Sequence, residues 1–247
     1  MGENLSFEEV QKKITFLDPH WGQRIKPKNF GKKITIPKIN TKEFAEFYGI
    51  MLGDGCIYSN LTAFCITGNN ALERIYYEEY ISNLIKTLFG RSPGITKSKK
   101  ENAIRGYLCS KKACLFLLEK GFEKGVKKYI KIPSFFNNKL LISACLRGLF
   151  DTDGSVSRHP HTKIMIHLSV TRLELKESVK KALDLLKIGF SESKHSIYLY
   201  GTKKVDLFFK IIESSNMKHK YKYKIFKRTG KVPTNKEIEN LLTNKEI

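Results

Sequence analysis

The sequence predicts an α/β protein of the α+β kind, made of two copies of one αββαββα unit. Three observations carry this expectation. Two apolar helices end alike, the first reading Phe47-Tyr48-Gly49-Ile50-Met51-Leu52-Gly53-Asp54-Gly55 and the second Leu146-Arg147-Gly148-Leu149-Phe150-Asp151-Thr152-Asp153-Gly154. After each Asp-Gly the same succession of strand-like and helix-like segments follows, in the same order and at similar length. The chain has 247 residues, 41% of them hydrophobic, which suffices for two small units with cores. Two copies in one chain predict pseudo-twofold symmetry and a monomer whose halves build one site together.

In the first copy, Asn40 and Glu43 mark a helix start, and a helix runs from about Thr41 to Gly53. A strand follows at Cys56 to Ser59 and another at Leu61 to Thr67. Asn70 to Leu88 is helical, with Leu72, Ile75, Tyr76, Tyr80, Leu84, Ile85 and Leu88 on one stripe. Gly94 to Ser98 and Arg105 to Ser110 make a hairpin, Lys111 to Lys120 a short helix, and Lys124 to Pro133 a basic connector. The second copy repeats the order: helix Leu140 to Thr152, strands Ser155 to Arg158 and Lys163 to Ser169, and helix Arg172 to Leu186. The hairpin Phe190 to Ser193 with His195 to Tyr200 and the helix Thr202 to Glu213 complete it.

The domain division is therefore a basic, proline-containing arm over 1–40, repeats over 41–133 and 134–228, and a polar tail over 229–247. Within the arm, Ser6 and Glu9 form a capping-box pattern that predicts a short helix near Phe7. In the tail, Thr234 and Glu237 do the same, for a helix with too few apolar residues to contribute much.

Lys and Arg number 45 against 24 Asp and Glu, a net charge of +21, and this predicts a polyanionic partner, nucleic acid first. No run of about 18 apolar residues exists, so no spanning helix and no membrane partner is expected. The first residues lack an apolar stretch, so no signal peptide is expected and the protein is not secreted. Cytoplasm, either a prokaryotic cytosol or an organelle interior, is the expected location. The five cysteines are odd in number and have no CxxC spacing, so they are expected as reduced, buried apolar residues.

Small residues recur every four positions in both apolar helices, at Ala45, Gly49 and Gly53 and at Ala144, Gly148 and Thr152. Such a stripe lies on one helix face and lets two backbones come very close. If the stripes pack together, Asp54 and Asp153 sit side by side past the helix C-termini. Two carboxylates beside negative carbonyl ends are unfavourable unless cations bind them. Hard divalent ions fit oxygen donors, Mg²⁺ above all next to phosphate, and paired metals are a standard means of phosphodiester cleavage.

These paired segments resemble the motifs of the LAGLIDADG homing endonucleases, in the single-chain form with two motifs, and the resemblance spans roughly residues 42–228. It implies two αββαββα halves with the motif helices at the centre and two antiparallel four-stranded sheets forming a saddle over DNA. It implies a site-specific double-stranded DNA endonuclease that hydrolyses phosphodiester bonds at a long, asymmetric site. Two or three Mg²⁺ ions would serve it, with Mn²⁺ or Ca²⁺ able to take their place in binding. Asp54 and Asp153 take the family's catalytic and metal-binding position, and Gly53 and Thr152 would offer backbone carbonyls to metal. Leu52 departs from the pattern where the second motif has Asp151, at a position that faces away from the metal. Some members are RNA-binding maturases, so intron RNA is the alternative partner.

The expected DNA-facing residues are Tyr58, Asn60, Lys97, Lys99, Arg105, Arg158, His159, His161, Lys163 and Lys194. Lys218, Lys220, Lys222 and Lys224 alternate with His219, Tyr221 and Tyr223. If extended, these lysines share one face that could grip phosphates. Lys124, Lys127, Lys128 and Lys131 are a looser counterpart in the first half. His159 and His161 read as a polar loop, not as metal ligands.

Overall fold

The structure, a computed structural model, describes residues 34–243. The expected helix near Phe7 and most of the basic arm lie outside the described residues. The first helix, α1 (Lys42–Gly53), is capped by Thr41, whose hydroxyl accepts from the Phe44 N–H at 3.2 Å. Strands β1 (Gly55–Ile57) and β2 (Ala63–Asn69) follow. The long helix expected next is present in three pieces: α2 (Asn70–Ile75), a π-helical turn (Tyr76–Ile81) and α3 (Ser82–Phe89). Strands β3 (Gly94–Ser98) and β4 (Ala103–Cys109) and helix α4 (Lys111–Glu119) complete the first repeat.

The second repeat has the same order: α5 (Lys139–Asp153), β5 (Gly154–His159), β6 (Lys163–Ser169), α6 (Leu173–Leu185), β7 (Ser191–Ser193), β8 (Ser196–Tyr200) and α7 (Thr202–Ile211). Each repeat makes one antiparallel sheet, ordered β1-β2-β4-β3 in the first and β5-β6-β8-β7 in the second. Alternation decides which face of each sheet is covered. In β4, Ile104, Gly106 and Leu108 point inward while Ala103, Arg105, Tyr107 and Cys109 point to the open face. In β6, Ile164, Ile166 and Leu168 are inward, leaving Lys163, Met165, His167 and Ser169 on the open face. The covered faces and both motif helices share one apolar core, in which Phe44, Phe47, Ile50, Leu149 and Phe150 are almost fully buried. None of the described helices is long and apolar enough to cross a membrane.

Two expectations need correction. Residues Met217 to Arg228 are not extended but form a helix, α8 (Met217–Thr229). Asn216 caps it by accepting from the Lys218 N–H, and Gly230 ends it in the left-handed conformation that a helix C-terminus favours. The buried positions, His219, Lys222 and Phe226, follow helical spacing, so the lysines do not share one face. The polar tail also contributes more than its composition suggests. Helix α9 (Asn235–Thr243) starts with the expected capping box, Glu237 N–H to Thr234 Oγ1 at 3.3 Å and Thr234 N–H to Glu237 Oε2 at 2.7 Å. It buries Ile238 and Leu242.

Candidate catalytic centre and nucleic-acid interface

The small-residue stripes do pack against each other. A Cβ added to Gly49 would lie 1.9 Å from the Cys145 carbonyl oxygen, and one on Gly148 would lie 2.0 Å from that of Glu46. A Cβ on Gly53 would lie 2.1 Å from Thr152 Oγ1. The backbones of α1 and α5 therefore touch, which only glycine permits, and both helices end at the same level. Asp54 follows α1 directly, and Asp153 is the last residue of α5.

Burial dominates the chemistry of both carboxyls. It pushes Asp54 up to about 7, helped by the nearby charges of Asp153 and Glu73 and opposed by Lys127 and Lys218. Asp153 is pushed up to about 6, again by burial, with Lys127 and Arg172 pulling it back down. Two acids held in a poorly hydrated place, with cations as the only relief, form a site that gains from a bound cation. The donors are hard oxygens, which suits Mg²⁺ and not a thiolate- or imidazole-seeking metal. Among the described residues no cluster of three or more His, Cys, Asp and Glu could hold a metal by itself, so an ion here would need oxygens from phosphate and water. His159 ends β5, and His161 is exposed in the turn that follows.

Lys127 is the residue that sequence reasoning left among four similar lysines. Its ammonium donates to the carbonyls of Met51 (3.1 Å), Leu52 (2.7 Å) and Gly53. It thereby caps the negative end of α1. The Gly53 carbonyl, expected to face metal, thus faces this ammonium. The Thr152 hydroxyl bonds back to Gly148 and Leu149 of its own helix. Arg172 ties the connector down by donating to the Lys127 carbonyl. Glu73 is the other residue without a sequence signal. It is buried near Asp54, paired with Lys218 at 2.6 Å and bonded to Asn216 at 3.0 Å.

Asp151 and Leu52, the two residues at the varying motif position, point away from this centre into the protein. Asp151 is fully buried and accepts from Ser214 Oγ and from the Ser215 N–H at 2.8 Å. Ser215 in turn bonds Glu46, which pairs with Arg147 at 3.3 Å, so the segment after α7 is tied to both motif helices. Burial pushes Asp151 up to about 7 from an ordinary 3.8. A carboxyl raised in this way stabilises the fold below its unfolded pKa and loses that contribution as pH rises from about 4 to about 7. Asp151→Asn can keep both bonds, with Ser214 turned to accept. It should therefore raise the melting temperature at pH 8, on the order of 5 °C, and change it little at pH 4. Thermal melts at the two pH values check this, and equal effects at both would refute a titrating Asp151.

The strand register sorts the expected nucleic-acid contacts. Arg105 lies on the open face of the first sheet with its Nε on Thr67 Oγ1 at 3.2 Å, and Tyr58 follows β1 in the same alternation as Cys56. His159 and Lys163 face each other on the open side of the second sheet. His161, Lys99 and Lys194 are exposed in turns, and Asn60 spends its side-chain oxygen on Thr62 in a tight turn. Lys97 and Arg158 belong to the other side. Lys97 stands opposite buried Ile104 and pairs with Glu78 of the π-helical turn, and Arg158 stands opposite buried Ile164. In α8, Lys218 and Lys222 are engaged internally, Lys222 with the Val156 carbonyl and Asn235, while Lys224 is exposed and Lys220 half-buried. The open face of the second sheet also bears a row of rings absent from the expectation. His167 and Tyr198 stack at 5.1 Å, Tyr198 and Tyr200 at 5.5 Å, and His159 lies 5.0 Å from Tyr200.

Comparison with known proteins agrees with this architecture. Residues 141–225 match the family model of a LAGLIDADG-like domain. No curated protein matches the chain. Among solved structures, the homing endonuclease I-WcaI bound to its DNA recognition sequence superposes with a TM-score of 0.56 at 18% identity, over 82% of this chain and 95% of that one. Full-length DUF199/WhiA from Thermatoga maritima gives 0.51 at 18% identity, over 85% of this chain and 69% of that one. Mesophilic variants of the homing endonuclease I-DmoI give 0.50 at 15% identity, over 70% of this chain and 92% of that one. Residues 141–225 are thus a LAGLIDADG-like domain, and the chain as a whole has the two-repeat LAGLIDADG fold.

Proposed function

We propose that the protein is a divalent-metal-dependent endonuclease that cuts double-stranded DNA at a long, asymmetric site, acting as a monomer. The observation that carries this reading is the pair Asp54 and Asp153, brought together at the ends of two touching helices, each strained by burial and flanked by the open face of a sheet. A structural role alone gains nothing from such a pair, since each carboxyl costs folding free energy at neutral pH. Asp54 and Asp153 would hold Mg²⁺, which when bound supplies water activation and leaving-oxygen stabilisation. Lys127 and Arg172 offset negative charge around Asp153, and Lys218 does so around Asp54. Arg105, Tyr58, Lys163 and the turn lysines would hold the duplex on either side.

The test is cleavage of a randomised duplex library in Mg²⁺, with cut ends sequenced. Recovery of one sequence family cut on both strands, absent with EDTA, is the expected result, and random or absent ends would contradict it. Binding should also weaken steeply with salt, because part of the +21 charge is neutralised by phosphate. The log–log slope should be about −0.9 per phosphate contacted. A flat response in a salt titration would remove nucleic acid as the partner.

A second reading has one observation in its favour. The row of rings on the second sheet offers surfaces on which unpaired bases stack, as RNA-binding sheets do. An intron maturase would use it. Competition between a structured intron RNA and a duplex separates the two, since a maturase prefers the RNA and rescues splicing of its own intron.

A further inference from the structure

Beside the carboxylate pair, the open face of the first sheet carries one other arrangement of reactive groups. Cys56 in β1 and Cys65 in β2 are direct partners across the ladder, and both are free thiols. The Tyr58 N–H donates to Ala63 at 3.0 Å and the Thr67 N–H to Asp54 at 3.3 Å, two residues to either side. By the alternation of antiparallel ladders, Cys56 and Cys65 are then a hydrogen-bonded pair with Cα atoms about 5.5 Å apart. That separation is within the common range for disulfides, roughly 5.5–6 Å. Cys56 is half-buried on an edge strand, and Cys65 beside it on the inner neighbouring strand is 4% exposed. The other cysteines have no such partner: Cys109 stands opposite Ala63, while Cys114 and Cys145 sit inside helices.

We propose that Cys56 and Cys65 form a reversible modification site, a dithiol that closes to an internal disulfide by exchange with a small-molecule disulfide such as oxidised glutathione. The order of events follows from exposure. The Cys56 thiolate attacks one sulfur of the incoming disulfide, whose S–S bond breaks, and the departing thiolate takes up a proton. Cys65 then loses its proton to water and attacks the Cys56 sulfur of the mixed disulfide, expelling the second small thiol. The protein gives up two electrons and two protons, and the incoming disulfide is reduced to two thiols. Hydrogen-bonded strand pairs hold their Cβ atoms at the wide end of a range of about 4.5–5.5 Å, whereas a relaxed disulfide wants about 3.8 Å. Closure therefore pulls the strands together, and the resulting strained bond is easily reduced, as reversible disulfides are and structural ones are not. Cys56 lies two residues beyond Asp54, so the strand that moves is the one leaving the end of α1.

The test uses the full chain, reduced and then exposed to oxidised glutathione, followed by alkylation under denaturing conditions and peptide mapping. The expected product has lost two hydrogen masses, keeps three alkylatable thiols of its five cysteines, and yields a Cys56–Cys65 cross-linked peptide that dithiothreitol reverses. Cys65→Ser should trap glutathione on Cys56, Cys56→Ser should give neither product, and Cys109→Ser should behave as wild type. Glutathione retained on wild-type Cys56, reaction at Cys109 instead, or five unreacted thiols would each overturn the proposal without any variant having to fold. A further arm rests on the DNA-binding reading. Duplex bound in Ca²⁺ at low salt should slow the reaction of Cys56. If the disulfide forms at the same rate with duplex present, the modification site stands and the placing of DNA on this face falls.

Discussion

Asp54→Asn and Asp153→Asn should each abolish double-strand cleavage while leaving duplex binding largely intact. The argument is electrostatic and geometric. Both carboxyls sit at the ends of helices whose backbones touch, so neither can be replaced by a neighbour without moving a helix. Asn keeps the shape and removes the charge. Metal affinity then falls, and the rate should drop by about a thousand-fold or more, as expected when a metal ligand serving the attacking water is lost. In the proposed function, duplex binding rests on the open sheet faces and their cations. It should persist, or strengthen slightly as repulsion between carboxylate and phosphate is relieved. Both variants should also fold at least as stably as wild type at pH 8, because each removes a buried charge that burial has already pushed towards protonation. Cleavage of the selected site in Mg²⁺, a gel shift in Ca²⁺ and a thermal melt at pH 8 measure the three effects. A variant that still cuts both strands near the wild-type rate would show that its Asp is no metal ligand. A variant that loses duplex binding together with cleavage, at unchanged stability, would show that the carboxylates position DNA instead.

The parts of this centre that were legible in the sequence are those set by short-range rules. Small residues at four-residue spacing name a helix face whatever surrounds it, so the close approach of the two helices at Gly49 and Gly148 is the one expected if the stripes pack together. The capping box of Thr234 and Glu237 fixed a helix start for the same reason, whereas α1 is capped by Thr41, one residue after the expected Asn40, and the Asn138 cap of α5 was not read. Side-chain direction on a strand obeys a harsher rule, since a slip of one residue exchanges the faces. Lys97 and Arg158 are basic and near the right place, but they stand one residue out of phase with Arg105 and His159. Helix α8 misled through its alternating lysines, a period-two pattern laid over burial at helical spacing. The caps at Asn216 and Gly230 were the better signal. Lys127 could not be told from Lys124, Lys128 and Lys131, because its role depends on where the connector crosses the end of α1. That crossing is set by the bond from the Gly125 N–H to the Ile57 carbonyl and by Arg172 on the Lys127 carbonyl, two long-range contacts with no local sequence mark.

The helix contact itself makes the most severe stability prediction. Gly148→Ala should destabilise the fold by about 3 kcal/mol or more, and Gly49→Ala by a similar amount. Alanine is the better helix former by about 1 kcal/mol, so propensity alone would predict a gain for both. The space forbids it. The new methyl carbon would lie 2.0 Å from the Glu46 carbonyl oxygen in the first case and 1.9 Å from the Cys145 carbonyl oxygen in the second. These obstacles are backbone atoms within helices, which cannot swing aside as a side chain can. Relief requires α1 and α5 to move apart along their whole shared face, loosening the core around Ile50, Leu149 and Phe150. Gly106→Ala is the control, because its nearest neighbour is the far end of the Ile95 side chain at 3.4 Å, an ordinary contact. Denaturant titrations of the three variants should therefore show two large losses and one small change. The separation would also pull Asp54 away from Asp153, so any Gly148→Ala protein that still folds should lose cleavage out of proportion to its lost stability. A Gly148→Ala variant as stable as wild type would mean that the helices do not touch. Asp54 and Asp153 would then not share a site.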